Sequence, residues 1–351
     1  MFERRTLATG VLALLVAMSQ VEYGGAQAQG AGAPQGQGAA APSGQGAGAP
    51  QGRGAGGRGG DAPQGRAGGR GRGDAGPFTP EPGAKDLKSV LFNWAWHMGM
   101  LRSGAESELV KTLDYYGASG TVQVNGQPCT LTRYHLQANY QIPGYRIDIA
   151  CTRANKQTYS VVENMSGDYA WDDDIPGAEL VAGKGKSTPR QETLTERRIR
   201  LWASPHGAPK AAIAAAAGMH PLQSFGQNPA TLIDRQAAAG VKGTTTLTWE
   251  GEKAVVTFPV PDVPGATATA TLVNYLPERV VVTNGKETTE FVYGKWADFN
   301  NPLFKIEALI PTTTVERKNG AAARNVTSKV TEIGQIYVIV PVPDSIQKAG
   351  K

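Results

Sequence analysis

Four histidines, His97, His135, His206 and His220, are the residues from which metal or general-base chemistry would be built. No two of them stand at ligand spacing. The chain has no H-x-H-x-D, H-E-x-x-H or C-x-x-C motif, so a catalytic zinc site is not expected. His97 lies between Trp96 and Met98 on a helical stretch, and His135 shares a strand parity with Arg133 and Gln137. Both read as polar-face or hydrogen-bonded residues rather than ligands. The densest acidic cluster is Asp172-Asp173-Asp174. Consecutive carboxylates can meet a hard cation, but the alternating spacing of a calcium loop is missing, and a solvated turn after a strand is the reading preferred. Glu163, Asp168 and Glu290 would make a glycosidase-like pair only if folding set two of them across a cleft; nothing in their spacing selects them. A G-x-S-x-G elbow is absent. Gly183-Lys-Gly-Lys-Ser187 has the end of a P-loop, but Leu180 occupies the place of its first glycine and no apolar strand precedes it. The chain therefore reads as a non-enzyme with no metal and no cofactor.

What remains is aromatic. Six tryptophans (Trp94, Trp96, Trp171, Trp202, Trp249, Trp296) and several tyrosines, among them Tyr115, Tyr134, Tyr140 and Tyr145, fall on the expected helices and strands. Trp94 and Met98, with Trp171 or Trp202 facing them, could line a hydrophobic cavity. A core filled by these same side chains is the reading the residues themselves prefer.

The elements that must position them begin with the run from Gly120 to Trp171. At its centre, residues 129–140 turn through Ile142-Pro143-Gly144 into residues 145–153. Leu131, Arg133, His135 and Gln137 share one parity and Thr132, Tyr134, Leu136 and Ala138 the other, the period of a strand with one apolar face. Tyr145, Ile147 and Ile149 alternate with Arg146 and Asp148 on the return. Asn125-Gly126 is a strong hairpin signal. Cys129 and Cys151 lie at one end of this hairpin but several residues out of register. A disulfide between them requires a bulge or a strand offset, so two free thiols are the reading preferred and a bridge is the alternative.

Before this run, Leu87, Val90, Leu91, Trp94 and Met98 recur at helical steps, with Phe92 and Trp96 widening the apolar face. A second helical or extended segment, Glu106 to Tyr116, is expected to break at Gly117 and Gly120. After it, residues from about 192 to 240 are helical. Seven strands are expected between Thr244 and Thr331, followed by an apolar run at Ile336–Val342. Helix, strands, helical insertion and strands again give an α+β fold: a large antiparallel curved sheet, an incomplete barrel, covered by helices.

Residues 1–28 read as a signal peptide, with Arg4 and Arg5 before an apolar run and Ala26-Gln27-Ala28 as the cleavage site. Residues 29–78 read as a disordered tether: 19 of the 45 glycines fall between 29 and 76, and Ala-Pro-Gln-Gly recurs three times. The remainder, 79–351, is expected to be one domain. It carries 28 basic and 26 acidic residues, so the high isoelectric point belongs to the tether, and nucleic acid is not an expected partner. The run Leu7–Met18 is short for a membrane span, so a transmembrane protein is not expected.

In its order of elements across residues 84–343 the chain resembles the lipoprotein-localisation carrier superfamily (LolA/LolB-like), in which an incomplete β-barrel folds over a helical lid. It is also similar to a group of exported bacterial proteins, some of which carry a metallo-β-lactamase-type domain whose hydrolase activity is not expected of this chain. That likeness lies in Thr112-Leu-Asp-Tyr-Tyr-Gly117, Asn139-Tyr-Gln-Ile-Pro-Gly-Tyr-Arg-Ile-Asp148, Gly167-Asp-Tyr-Ala-Trp-Asp172, Arg200-Leu-Trp-Ala-Ser-Pro-His-Gly207 and Val255-Val-Thr-Phe-Pro-Val260. The resemblance implies a periplasmic or secreted module that binds a hydrophobic small molecule or lipid, such as an acyl chain. The alternative is a structural or protein-interaction module with a packed core.

Overall fold

A computed structural model describes residues 78, 80–101, 110–224, 226–301, 306–333 and 340–350. The expected signal and nearly all of the tether lie outside these residues, as do most of the segment before Val110 and most of the apolar run 336–342.

Helix α1, Leu87–His97, starts where Asp86 caps it: the Asp86 carboxylate accepts from the Ser89 amide at 3.0 Å and from the Ser89 hydroxyl at 2.6 Å. The Ser89 hydroxyl bond, outweighing a little burial, holds the Asp86 carboxyl below its ordinary range. Val90, Leu91, Trp94 and Met98 are all fully buried, as their spacing predicts. Phe92 joins them, but Trp96 is 41% exposed and lies stacked on Phe92 outside the core, so it does not widen the buried face.

Six strands follow: β1 Thr112–Val124, β2 Gln127–Asn139, β3 Gly144–Thr152, β4 Thr158–Ser166, β5 Tyr169–Asp173 and the short β6 Ser187–Pro189. Four helices come next: α2 Leu194–Trp202, α3 Gly207–Ala216, α4 Pro221–Ser224 and α5 Pro229–Ala238. Seven strands then return: β7 Thr246–Glu250, β8 Lys253–Pro259, β9 Thr267–Val273, β10 Leu276–Asn284, β11 Glu287–Asn301, β12 Ile306–Lys318 and β13 Ala321–Ile333. Helix α6, Asp344–Ala349, ends the chain. Neither β6 nor α6 is legible as such in the sequence.

Among the described residues thirteen strands form one antiparallel sheet, in the order β6-β5-β4-β3-β2-β1-β13-β12-β11-β10-β9-β8-β7. Each half is a meander, and the long-range pairing of β1 with β13 joins the two. The strands at the two ends of this order, β6 and β7, are consecutive strands in the chain. The helical segment linking them therefore has to travel from one edge of the sheet to the other. It does so across the inner face, with α2 against β4 and β5, α3 against β8, and α1 packed on α3 and α5. The sheet is thus a curved, incomplete barrel covered by helices.

Two features of the central run depart from its sequence pattern. First, β1 continues through Gly117 and Gly120, with a shift of register between Gly117 and Ser119 in its pairing with β13. These glycines permit close approach rather than breaking an element. A Cβ on Gly120, whose φ is +149°, would lie 2.1 Å from the Asn325 carbonyl oxygen of β13, and one on Gly117 would lie 2.6 Å from Tyr134 Cβ. Second, a bulge at Thr132 breaks the alternation of β2: Leu131 faces Cys151 while Arg133 faces Ala150. Beyond the bulge Tyr134 and Ala138 are buried, and before it Cys129 is buried, so Leu131 does not share a face with Arg133, His135 and Gln137. The same bulge explains the disulfide. Without it Cys151 would sit opposite Thr132, and Cys129, three positions away, would point through the other face. With it the cysteines are diagonal neighbours on one face, and they are bonded, with Cα atoms 5.5 Å apart.

Candidate functional site

The inner face of the sheet is filled at most places, but a cavity of about 90 Å³ remains under its middle. Its walls come from six adjacent strands, β3, β2, β1, β13, β12 and β11, so it straddles the β1–β13 seam. The end of α2 and the turn after it close the cavity with Leu201, Ser204 and Pro205. Six aromatic rings dominate the lining: Tyr115, Tyr134, Tyr140, Tyr145, Phe291 and Tyr293.

Three of these tyrosines tie the sheet to the helical cover. Tyr140 Oη and Ser204 Oγ are 2.8 Å apart, Tyr293 Oη donates to the Ala203 carbonyl at 2.6 Å, and Tyr145 Oη accepts from Arg200 Nη1 at 2.9 Å. Burial pushes the phenols up: Tyr145 to about 12 despite Arg200 beside it, and Tyr140 and Tyr293 further. Tyr115 is raised by burial as well, but its buried hydroxyl has no hydrogen-bond partner among the described residues.

Charge closes one end. Arg200 reaches down from α2 into a bidentate pair with Glu316 of β12, Nε to Oε2 at 3.0 Å and Nη2 to Oε1 at 2.9 Å. It also donates to Glu196 one turn back at 2.8 Å and lies 3.6 Å from Glu163 of β4. Arg324 of β13 donates to both oxygens of Glu163 at 2.7 and 2.8 Å and stands 3.4 Å from Glu316. Burial by itself would neutralise these groups. The opposite charges win: Arg324 and Arg200 hold Glu163 below its ordinary range, and Arg200 and Lys318 bring Glu196 to about 2. Arg324 Nη1 is buried with no partner.

The residues expected to bind ligand are placed elsewhere. Trp94, Met98 and Trp202 are buried in the main core, Trp94 against Phe258 and Trp202 against Tyr140 and His220. Trp171 belongs to a separate small cluster with Val340 and with Ile346 of α6. None of the four lines the cavity; Trp202 reaches it only through Tyr140. The tyrosines that do line it were visible as aromatics on strands. Glu316 and Arg324 carry no signal in the sequence, because a charge on a strand reads as outward-facing until the register is known, and Arg200 on α2 reads as one of three arginines, with Arg197 and Arg198, on a polar helix face.

The other polar candidates have structural partners. Asp172 and Asp173 are in β5, not in a solvated turn. Asp172 accepts from Arg190 at 2.8 Å and pairs with Arg197; Asp173 is buried and accepts from Ser187 Oγ at 2.6 Å and Asn164 Nδ2 at 2.9 Å; Asp174 accepts from the Lys186 amide. Three neighbouring carboxylates thus turn to three different places. Asp168 is paired with Arg198, and Glu290 with Arg317. His135 lies 2.7 Å from Asp114 and stacks on Tyr116, and His97 bonds the Asn93 carbonyl. His206 is buried, held near pKa 4 by that burial, with Nε2 3.0 Å from the Met98 carbonyl. Lys210, buried and pushed well down, donates to the Val110 carbonyl and lies over the Tyr140 ring. Among the described residues no three His, Cys, Asp or Glu side chains converge as a metal site.

Fold and site define an α+β protein with an open antiparallel sheet and a tyrosine-walled cavity under a helical cover. No family model matches the chain, and no curated protein matches it. Among solved structures it is similar to the crystal structure of a LolA superfamily protein from Nitrosomonas europaea, at 8% identity and a TM-score of 0.32, over 74% of this chain and 96% of that one. Among the described residues no helix is long and apolar enough to cross a membrane.

Proposed function

We propose that this protein binds a hydrophobic ligand, of the lipid or acyl-chain class, in the cavity under the β1–β13 seam, without catalysing a reaction. The observation that carries the reading is the cavity itself: an apolar, aromatic-walled space between sheet and cover, with a few polar groups at its margin. In this reading Trp94, Met98 and Trp202 act as the packed layer that holds the cover in place, and Trp171 anchors α6. Residues 1–28 direct export to the periplasm or outside the cell, 29–78 tether the domain, and 79–351 form the binding module. The second reading, a packed interaction module, draws on the size of the space. At about 90 Å³ it is smaller than the ~150 Å³ of an apolar cavity that admits benzene. A longer ligand then requires the end of α2 and the 203–205 turn to move outward, releasing the tyrosine bonds to Ser204 and Ala203.

The test is saturable binding of an environment-sensitive hydrophobic dye to the full chain, with native mass spectrometry for co-purified lipid. Ala138, buried on β2, lines the cavity. Ala138→Phe is expected to fill the space and abolish dye saturation while the chain stays folded. Undiminished dye binding by a folded Ala138→Phe chain would rule out this cavity as the site.

A further inference from the structure

We infer that the ligand presents a neutral hydrogen-bond acceptor, a carbonyl of the ester or amide class, to the guanidinium of Arg324 at the charged end of the cavity. The inference rests on the binding reading above and adds the chemistry of the bound group.

The argument begins with an unmet donor. Arg324 lines the cavity, and its side chain is only 13% exposed. Nη2 and Nε are engaged by Glu163 and Glu316, while Nη1 is buried with no partner among the described residues. A buried N–H of a charged group left without an acceptor is costly. An acceptor delivered by the occupant would satisfy it.

Charge balance then selects the kind of acceptor. The inner cluster holds two guanidiniums, Arg200 and Arg324, and two carboxylates, Glu163 and Glu316, while Glu196, which also bonds Arg200, is matched by Lys318. It is already neutral. A carboxylate or phosphate brought to Arg324 would sit beside Glu163 and Glu316 as an unmatched third anion in a place with little water, and would be disfavoured. A neutral carbonyl takes the donor without upsetting the balance. The rest of the lining fits such a ligand: beyond the cluster the walls are Tyr134, Phe291, Val326 and Leu136, which suit an apolar tail. An ester or amide head with a hydrocarbon tail matches both ends.

The experiment competes three probes of similar length against the dye on the full chain at neutral pH: methyl hexanoate, hexanoate and heptane. The ester is expected to displace dye at least tenfold more tightly than either of the others. Arg324→Lys keeps the positive charge opposite Glu163 but removes the planar fork that carries Nη1. It is expected to narrow the gap between ester and heptane to less than about threefold. If that variant does not fold, the ranking of the three probes on the natural chain still decides. Heptane equal to the ester, or hexanoate equal to or tighter than it, overturns this inference and leaves the binding reading standing. Failure of all three to compete overturns both.

Discussion

Arg200 and Glu316 stand 116 positions apart in the chain and meet through two parallel hydrogen bonds of 3.0 and 2.9 Å, both side chains nearly inaccessible to solvent. Arg200 belongs to the helical cover and Glu316 to the centre of the sheet. Their pairing is a direct bond between the two layers at the edge of the cavity. With Tyr140, Tyr145 and Tyr293 it fixes where the cover sits.

Breaking that pair from one side leaves a buried charge without its counterpart. Glu316→Leu is expected to destabilise the protein by about 3–5 kcal/mol, measured by chemical denaturation. The double variant Arg200→Met, Glu316→Leu is expected to recover part of the loss, with a coupling of at least ~1 kcal/mol in the double-mutant cycle. Full additivity of the two single changes would show that the pair does not act as a unit.

The Cys129–Cys151 bond closes a loop of sequence separation 22 around the β2–β3 hairpin. Restricting the unfolded chain over that length stabilises the fold by about 3 kcal/mol. Reduction, or the double change to alanine, is expected to lower the melting temperature correspondingly without altering the secondary structure seen by circular dichroism. Free-thiol titration of the unfolded, unreduced protein should find no reactive cysteine; two titrating thiols would contradict the bond.

Asp173 sets a pH dependence of unusual sign. Burial raises its carboxyl to about 6 against the opposing bonds from Ser187 and Asn164, above the ordinary value of 3.8. Below 3.8 it is protonated in both folded and unfolded chains and contributes no slope. As pH rises from about 4 to about 6 the unfolded chain gives up this proton first, so folding loses stability across that window and the loss is complete above it. Asp173→Asn keeps an acceptor for the Ser187 hydroxyl and removes the titration. The stability of the variant relative to the natural chain is therefore expected to rise between pH 4 and pH 6 and to level off by pH 7, followed by denaturant melts. A difference that stays constant over that range would show that Asp173 does not titrate there. Glu163 and Glu196, both depressed, act in the opposite direction at lower pH in both chains and cancel from the comparison.

Much of this architecture is written in local pattern. The helical spacing of Leu87, Val90, Leu91, Trp94 and Met98 is enough to name a buried helix, because 3.6-residue periodicity depends on neighbours alone. Asn125-Gly126 and Asn319-Gly320 both adopt the left-handed backbone that two-residue hairpins require, and the meanders follow from such turns. From strands in two blocks with helices between them, an α+β sheet covered by helices can be argued without coordinates.

The identity of the cavity is a different kind of fact. Thr132 sets which face Leu131 and Cys129 occupy, yet an extra residue in a strand leaves no mark on composition, and its effect on parity appears only once β3 is laid beside it. Glu316 and Arg324 are ordinary strand charges until the pairing of β12 with β13, and of β13 with β1, turns them inward beneath Arg200. Trp94, Met98, Trp171 and Trp202 suggest a pocket because they are large and apolar, and for the same reason they are packed away, three in the main core and Trp171 against Val340 and Ile346. Local sequence determined the elements and their turns, since those depend on residues within a few positions of one another. The seam between β1 and β13, the cover laid across it, and the space left between them were decided in three dimensions, where side chains a hundred or more positions apart compete for the same volume.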